Sequence, residues 1–560
     1  MSNAHLQFWP PGLPRTLALP ETTICDALDA ATQQHPDKPC VIYYGTAVSY
    51  AQFRDECDRL AAYLQNVCAV RPGDRVLLCL QNSPQFAMAY YAIARVGGVV
   101  VPINPMSREA ELAHYIADSR TTVVIAAQEV LSQFSGFMRD DALRFGVAAC
   151  YSDWIRTPTD LALPESVAAP RVADLPAGFS SWADAASCSQ PLRPVPIGMD
   201  DLCVMPYTSG TTGHPKGCMH SHRNVMFTAT AGMTWREMQS DDVVMAAVPL
   251  FHVSGMQRCL NGPILTGNTI VMMTRWDAVV AAALIERYRV TTWTGVPTMF
   301  IDLLGNPQLD RHDLSSLRSL GGGGAGMPAA IAQRMADRLK IPYIEGYGLT
   351  ETLGPSHINP PQRPKAQCLG IPTFNTRSYV VSADTLQPLP PGEVGEIVIN
   401  GPQVFQGYWN NSASTAAAFV EIDGLPFFRT GDLGYIDSDG YFFMVDRIKR
   451  MINASGYKVW PAEVEALFYH HPAIHEVCVI AVADPHRGET VKALIVLKPA
   501  YTPAPTEAQL IEWARGQMSA YKVPRQIEFV PTLPKSASGK VQWRLLQEQE
   551  QARPVAATGG

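Results

Sequence analysis

Residues 207–217 read Tyr207-Thr208-Ser209-Gly210-Thr211-Thr212-Gly213-His214-Pro215-Lys216-Gly217. Three glycines, one proline, four Ser/Thr hydroxyls and one lysine share these eleven positions. Glycine and proline oppose both helix and strand, so the stretch reads as a turn. Its backbone N–H groups and hydroxyls can converge on a concave, anion-binding surface. Lys216 adds a mobile positive charge suited to a polyphosphate. The spacing is not Gly-x-x-x-x-Gly-Lys-Ser/Thr, so a Walker-type loop is not indicated. Apolar runs flank it, Leu202–Met205 before and Val225–Phe227 after, as they would an internal loop.

Outward from this loop, short β-branched runs alternate with helical patterns. Asp74–Leu80, Val99–Ile103 and Thr121–Ala126 read as strands, with helices over Tyr50–Leu64 and Ser83–Arg95. Strands resume at Val243–Val248, Thr269–Met273 and Thr291–Thr294, with helices over Val279–Tyr288 and Ala329–Leu339. This alternation predicts βαβ units and mainly parallel sheets. Gly392–Gly401 alternates as a strand of a smaller β subdomain. Beyond it, a helix over Pro461–Tyr469, strands over Val477–Val482 and Ala493–Leu497, and a helix over Glu507–Ala520 predict a compact α+β domain. Residues 1–20 read as an irregular proline-containing arm and 139–194, rich in Ala, Pro and Ser, as a connecting insert.

Further motifs follow in order. Gly321-Gly322-Gly323-Gly324-Ala325-Gly326 precedes Gly346-Tyr347-Gly348-Leu349-Thr350-Glu351. Then come Arg429-Thr430-Gly431-Asp432, Asp446-Arg447-Ile448-Lys449-Arg450, and Pro534-Lys535-Ser536-Ala537-Ser538-Gly539-Lys540. Together with the 207–217 loop, this set resembles the motifs of the adenylate-forming enzymes, whose members include acyl-CoA synthetases, firefly-type luciferases and peptide-synthetase adenylation domains. The resemblance runs from about residue 20 to about 548.

The resemblance implies an α/β N-terminal domain over 1–446, with parallel sheets, flanking helices and a small β subdomain. A hinge over 447–450 and a small, mobile α+β domain over 451–560 follow. It implies two steps: a carboxylate and Mg·ATP give acyl-adenylate and pyrophosphate, and a thiol such as coenzyme A then displaces AMP. ATP phosphates would be held by Thr208, Ser209, Gly210, Thr211, Thr212, Gly213 and Lys216. Gly324 and Ala325 would form a glycine turn beside adenine, and Gly346, Tyr347 and Gly348 would lie along the base. Thr350 would contact the α-phosphate and Glu351 would hold Mg²⁺, a hard cation that takes one or two carboxylates plus phosphate oxygens. Asp432 would accept both ribose hydroxyls. Arg447 would reach ribose or phosphate, Lys449 would be the pivot, Gly456 would line the pantetheine tunnel and Lys458 would hold phosphate. Lys540 matches the catalytic lysine.

Pro249-Leu250-Phe251-His252-Val253-Ser254-Gly255 resembles the segment walling the carboxylate side, with His252 as a gate and not a general base. Trp293–Pro297 and Gly322–Gly324 would line the acyl channel. Phe442–Pro461 looks most like bacterial fatty-acyl-CoA ligases, which implies a medium- or long-chain fatty acid. An aryl or alicyclic acid, a separate carrier protein as thiol acceptor, luciferase-type oxygenation and a nucleotide-binding regulator without catalysis are the alternatives. Retention of Glu351 and Lys540 speaks against the regulator.

Bulk properties bound the rest. A chain of 560 residues, 47 % hydrophobic and 17 % charged, exceeds one core and divides into domains. A net charge of −7 argues against nucleic acid and requires local cations to draw anionic substrates. Twelve cysteines without a Cys-x-x-Cys pair fit neither a zinc site nor a disulfide framework, so a reduced, cytoplasmic setting is expected. The first residues lack a basic-then-apolar leader, and no apolar run of about 18 residues predicts a membrane span. Peripheral membrane contact and a homodimer stay open.

Overall fold

The computed structural model describes residues 4–19, 21–139, 141–208, 215–324, 326–447, 450–454, 457–484, 488–499, 501–536 and 540–553. The chain divides into two compact units: Met1–Ser378 with Ile399–Phe428, and Tyr379–Val398 with Arg429–Gly560.

Two sheets organise the first unit. Among the described residues one has seven strands, with Arg75–Cys79 central between Val99–Pro102 and Val123–Ala127, all parallel. Every residue of Val99–Pro102 and Val123–Ala127 is buried. Strands covered on both faces are apolar throughout and not alternating, which is why these runs are legible as continuous Val/Ile/Ala. The helix Pro84–Arg95 packs beside them, entered through Pro84 and capped by Ser83, with only Arg95 not buried.

The other sheet has nine strands. Its parallel centre runs Tyr343–Leu349, Ser319–Gly323, Thr292–Thr294, Val243–Ala246, Thr269–Met272 and Pro39–Tyr43. Polypeptide joining parallel strands must cross over, and the helices Ala278–Tyr288 and Ala329–Leu339 do so where periodicity places them. The α/β class and the parallel sheets stand as expected.

Three local readings are corrected. The 139–194 stretch is not merely a connection: Phe145–Ala149 and Phe179–Ser181 extend the seven-stranded sheet. Phe145–Ala149 carries Gly and Ala where strand propensity is weakest, so its neighbours impose the strand. The amino-terminal arm is packed: the Trp9 ring meets Trp235 and Phe374 edge-on at 5.1 and 5.4 Å. The helix from Glu507 ends at Arg515, followed by Gly516, short of Ala520.

In the second unit, Ile474–Asp484 and Gly488–Leu497 form a long antiparallel pair, with Gln526–Phe529 parallel to the latter. Helices Pro461–Phe468 and Glu507–Arg515 contribute Val464, Phe468, Leu510 and Ala514 to its core. This is the expected α+β domain. Among the described residues no helix is long and apolar enough to cross a membrane.

Candidate active site

The 207–217 loop stands on a short hairpin. Tyr207–Thr208 pairs antiparallel with Lys216–Gly217, Thr208 opposite Lys216. Ser209, Gly210, Thr211, Thr212 and Gly213 lie outside the described residues. The hairpin is tied at both sides. The Tyr207 hydroxyl donates to Asp118 Oδ2 at 2.6 Å, and burial together with that carboxylate holds the phenol well above its ordinary pKa. The Trp409 backbone N–H donates to the Gly217 carbonyl at 2.8 Å, and its indole N–H to the Asp118 carbonyl at 2.9 Å.

Lys216 extends from this base toward the 405–414 segment. Its Nζ donates to Ser414 Oγ at 2.9 Å and lies 4.9 Å from the centroid of the Tyr408 ring. The Tyr408 hydroxyl donates to Glu351 Oε1 at 2.8 Å. Glu351 is 7 % exposed, and its backbone carbonyl accepts from Phe405 N–H at 2.8 Å. Burial, then the Glu351 charge, raises the Tyr408 phenol far above its usual range. One aromatic residue thus joins Lys216 of the 207–217 loop to the carboxylate of the second motif.

That motif occupies the strand Tyr343–Leu349 and the 3₁₀ turn Thr350–Thr352. Gly348 has a structural reason: a Cβ there would sit 1.9 Å from the Gly354 carbonyl oxygen. Tyr347 is buried, its ring 5.7 Å from that of His357. The Thr350 carbonyl meets His220 Nε2 at 2.8 Å, and burial drops the His220 pKa from 6.5 to about 3.

The glycine tract is corrected from turn to strand. Gly321, Gly322 and Gly323 belong to Ser319–Gly323, between two parallel neighbours. A Cβ on Gly322 would lie 1.9 Å from the Gly295 carbonyl oxygen, and one on Gly323 2.2 Å from that of Gly346. The missing side chains permit close strand packing; the chain turns only at Gly324, where φ is +85°. Gly346 pairs with Gly323 across this junction. Ala325 lies outside the described residues. His252 precedes the helix Val253–Met256 and caps it, Nδ1 accepting from Ser254 N–H at 3.4 Å.

A separate cluster lies in the second unit. Asp432, its side chain 1 % exposed, faces Arg447 across an antiparallel pair, with Arg447 Nε 2.9 Å from Asp432 Oδ1. Asp446 accepts from the N–H groups of Arg447 and Ala462, at 2.6 and 2.7 Å, and so ties this strand to the start of the helix Pro461–Phe468. Lys540 is exposed over its surface, yet atoms crowd around its ammonium. That desolvation, and then Arg447, lowers its ammonium pKa, while Asp432 acts in the opposite sense. Three motifs separated in sequence therefore meet here. Lys449 and Gly456 lie outside the described residues, as does the Lys458 side chain; the Lys458 backbone belongs to the strand Tyr457–Val459.

Sequence reading missed Asp118, Tyr408, Trp409 and Ser414. A signal existed in Gly407-Tyr408-Trp409-Asn410: two aromatics between Gly407 at φ +135° and Asn410 at φ +50° mark a constrained, not a flexible, loop.

The AMP-binding enzyme family model matches residues 28–409, and the AMP-binding enzyme C-terminal domain model matches 463–540. A long-chain-fatty-acid–CoA ligase of Bacillus subtilis is 34 % identical over 97 % of this chain and 97 % of its own. A feruloyl-CoA synthase of an Amycolatopsis species is 35 % identical over 90 % of this chain and 94 % of its own. Among solved structures, ATP-bound MatB from Rhodopseudomonas palustris superposes with a TM-score of 0.83 at 27 % identity, covering 95 % of this chain and 99 % of that one. The anthranilate CoA ligase AuaEII with anthranoyl-AMP gives 0.82 at 26 % identity, covering 95 % and 98 %.

Proposed function

The chain belongs to the AMP-binding enzyme family, and from that premise we propose that its two clusters divide the work of ligating an acid to coenzyme A. The enzyme is an AMP-forming acid–thiol ligase that uses ATP. In the first step a carboxylate oxygen attacks the α-phosphorus and pyrophosphate leaves. In the second the CoA thiol attacks the acyl carbon and AMP leaves.

The observation that carries the assignment is the Lys216–Tyr408–Glu351 connection. It sets a cation and a buried carboxylate at one place, from motifs far apart in sequence. The first step brings an anion onto a polyanion, so preorganised positive charge is needed where charge develops. Lys216 supplies it at the loop, beside Thr208 and the loop residues 209–213. Glu351 fits Mg²⁺: it is a hard carboxylate ligand, and Tyr408 orients one of its oxygens. An ion held there would be completed by phosphate oxygens and water, and when bound it neutralises phosphate charge. Thr350 contacts the α-phosphate, and Gly324, Ala325, Gly346, Tyr347 and Gly348 border the base. Asp432 and Arg447 receive the ribose. Lys540 stabilises the first transition state. Residues 447–450 form the hinge about which the domain from 451 turns, Lys449 being its pivot. Gly456 and Lys458 serve the thiol step and phosphate, and His252 gates the carboxylate side.

We favour a medium- or long-chain fatty acid, on the strength of the fatty-acid ligase relatives; the feruloyl relative supports an aryl acid as the second reading. Twelve free cysteines support a reducing, cytoplasmic setting. The test is acid-dependent pyrophosphate release across graded aliphatic and aryl acids, with and without CoA. An apolar channel should gain about 0.8 kcal/mol per buried CH₂ until it ends. A preference for aromatic acids removes the fatty-acid reading, and thioester formation only with a carrier protein removes CoA.

A further inference from the structure

Arg236 stands beside the glycine tract and Arg258 near Arg236, neither with an ion pair among the described residues. Arg258 is 8 % exposed and lies in the π-helical turn Gln257–Asn261, between the helices Val253–Met256 and Gly262–Thr266. Its Nη1 is fully enclosed and has no hydrogen-bond partner among the described residues. Turns of this kind interrupt helices frequently at functional sites. Gln257, the preceding residue, is 2 % exposed, and neither end of its amide has a partner among the described residues.

Arg236, following the helix His222–Trp235, comes so close to the tract that a Cβ on Gly321 would lie 2.8 Å from its Nη2. Nη1 donates to Thr294 Oγ1 at 3.1 Å, and Nε is enclosed without a partner. Burial lowers both guanidinium pKa values, and Arg236 further lowers that of Arg258. The carboxylate of Glu345, which like both arginines acts on Tyr343, is engaged elsewhere: its oxygens accept the N–H groups of Met327 and Cys368. A buried Arg258 beside a half-buried Arg236 of like charge is costly, and an anion between them would offset that cost.

We propose that the acid this enzyme activates carries a second negative group on its tail, a carboxylate, received by Arg258 and Arg236. The proposal rests on the acyl-channel reading of Trp293–Pro297 and the glycine tract, which Arg236 adjoins through Thr294 and Gly321, with Arg258 near Arg236. It deepens the fatty-acid reading from a plain hydrocarbon acid to an α,ω-dicarboxylate. One carboxylate is adenylated; the other pairs with the arginines and takes no part in bond making. Gln257 lies next in sequence as a further donor.

The test is a set of straight-chain acids of matched length, each as monocarboxylate and as α,ω-dicarboxylate, assayed for CoA-dependent AMP formation. At the best length, kcat/KM for the dicarboxylate should exceed that for the monocarboxylate by about 100-fold, mostly through KM, because an unmet buried charge rejects the plain acid. Arg258→Met should collapse that ratio toward one, and Arg258→Lys should restore part of it. A wild type that prefers the monocarboxylate, or a ratio unchanged in Arg258→Met, overturns the proposal. Equal losses on every acid, with a lowered Tm, mark a structural arginine and overturn it as well. Should no acid support AMP formation, the ligase reading fails separately. Calorimetric binding of the dicarboxylates to wild type and Arg258→Met, with AMP present, then decides the anion site: binding that needs Arg258 upholds it, and equal or absent binding overturns it.

Discussion

Tyr408 shows how one side chain links two motifs. Its hydroxyl reaches Glu351 and its ring faces Lys216. Glu351→Gln keeps the shape but removes the charge. Acid-dependent pyrophosphate release should fall by about 100-fold or more, as when a preorganised charge is lost. Tyr408→Phe frees one Glu351 oxygen, and the Mg²⁺ concentration for half-maximal rate should rise about 10-fold, the usual cost of removing a partner behind a ligand. Wild-type behaviour of both variants would sink the metal assignment. Two buried histidines set a pH dependence at the same scale. Burial lowers His220 to about 3 and His222 to about 4, from 6.5. The unfolded chain binds protons that the folded chain refuses, so stability present above pH 6.5 is lost as pH falls toward those values. Each histidine contributes a slope of up to about 1.4 kcal/mol per pH unit. Neither ring nitrogen of His222 has a partner among the described residues, so His222→Met should flatten the slope by one histidine. Urea midpoints measured from neutral pH to about pH 5 check this, and an unchanged slope refutes it.

Among the elements, the glycine strand Ser319–Gly323 is the least forgiving. Gly322→Ala forces a methyl against the Gly295 carbonyl of the neighbouring strand segment, where backbone cannot yield without unpairing. A loss of about 3 kcal/mol or more is expected, at the upper end for overpacking. Gly326→Ala meets nothing within 4 Å and should stay within about 0.5 kcal/mol of wild type. Thermal unfolding of the pair separates a packing role from a turn role: equal, small effects would contradict the close-packed strand. The helix His222–Trp235 offers a milder case. Ser221 caps it, with Asn224 reciprocating, so Ser221→Ala should cost about 1 kcal/mol.

For the whole molecule, the prediction concerns Lys540, which belongs to the second unit with Asp432 and Arg447. If the second domain turns between steps, Lys540→Ala should abolish acid-dependent pyrophosphate release. The same preparation, given preformed acyl-adenylate and CoA, should make thioester at near wild-type rate. Equal loss of both half-reactions removes the rotation, and equal retention removes the catalytic lysine. Much of this architecture is legible in the chain. Val99–Pro102 and Val123–Ala127 announce buried parallel strands, Ser83 and Pro84 announce a helix start, and the ordered motifs announce an acid-activating enzyme. These signals are local, carried by periodicity and residue chemistry over a few neighbouring positions. Other features are not local. Phe145–Ala149 becomes a strand because Val123–Ala127 pairs with it, and the glycine tract becomes a strand because parallel neighbours pair with it on both sides, so closely that their carbonyls leave no room for a Cβ. By itself the sequence determined the fold class, the order of domains and the kind of reaction. Only the tertiary structure decided that Tyr408 joins Lys216 to Glu351, and that Arg258 is buried near Arg236. A contact between residues 57 or 198 positions apart, or a charge stripped of water by distant segments, leaves no mark on the residues beside it in the chain.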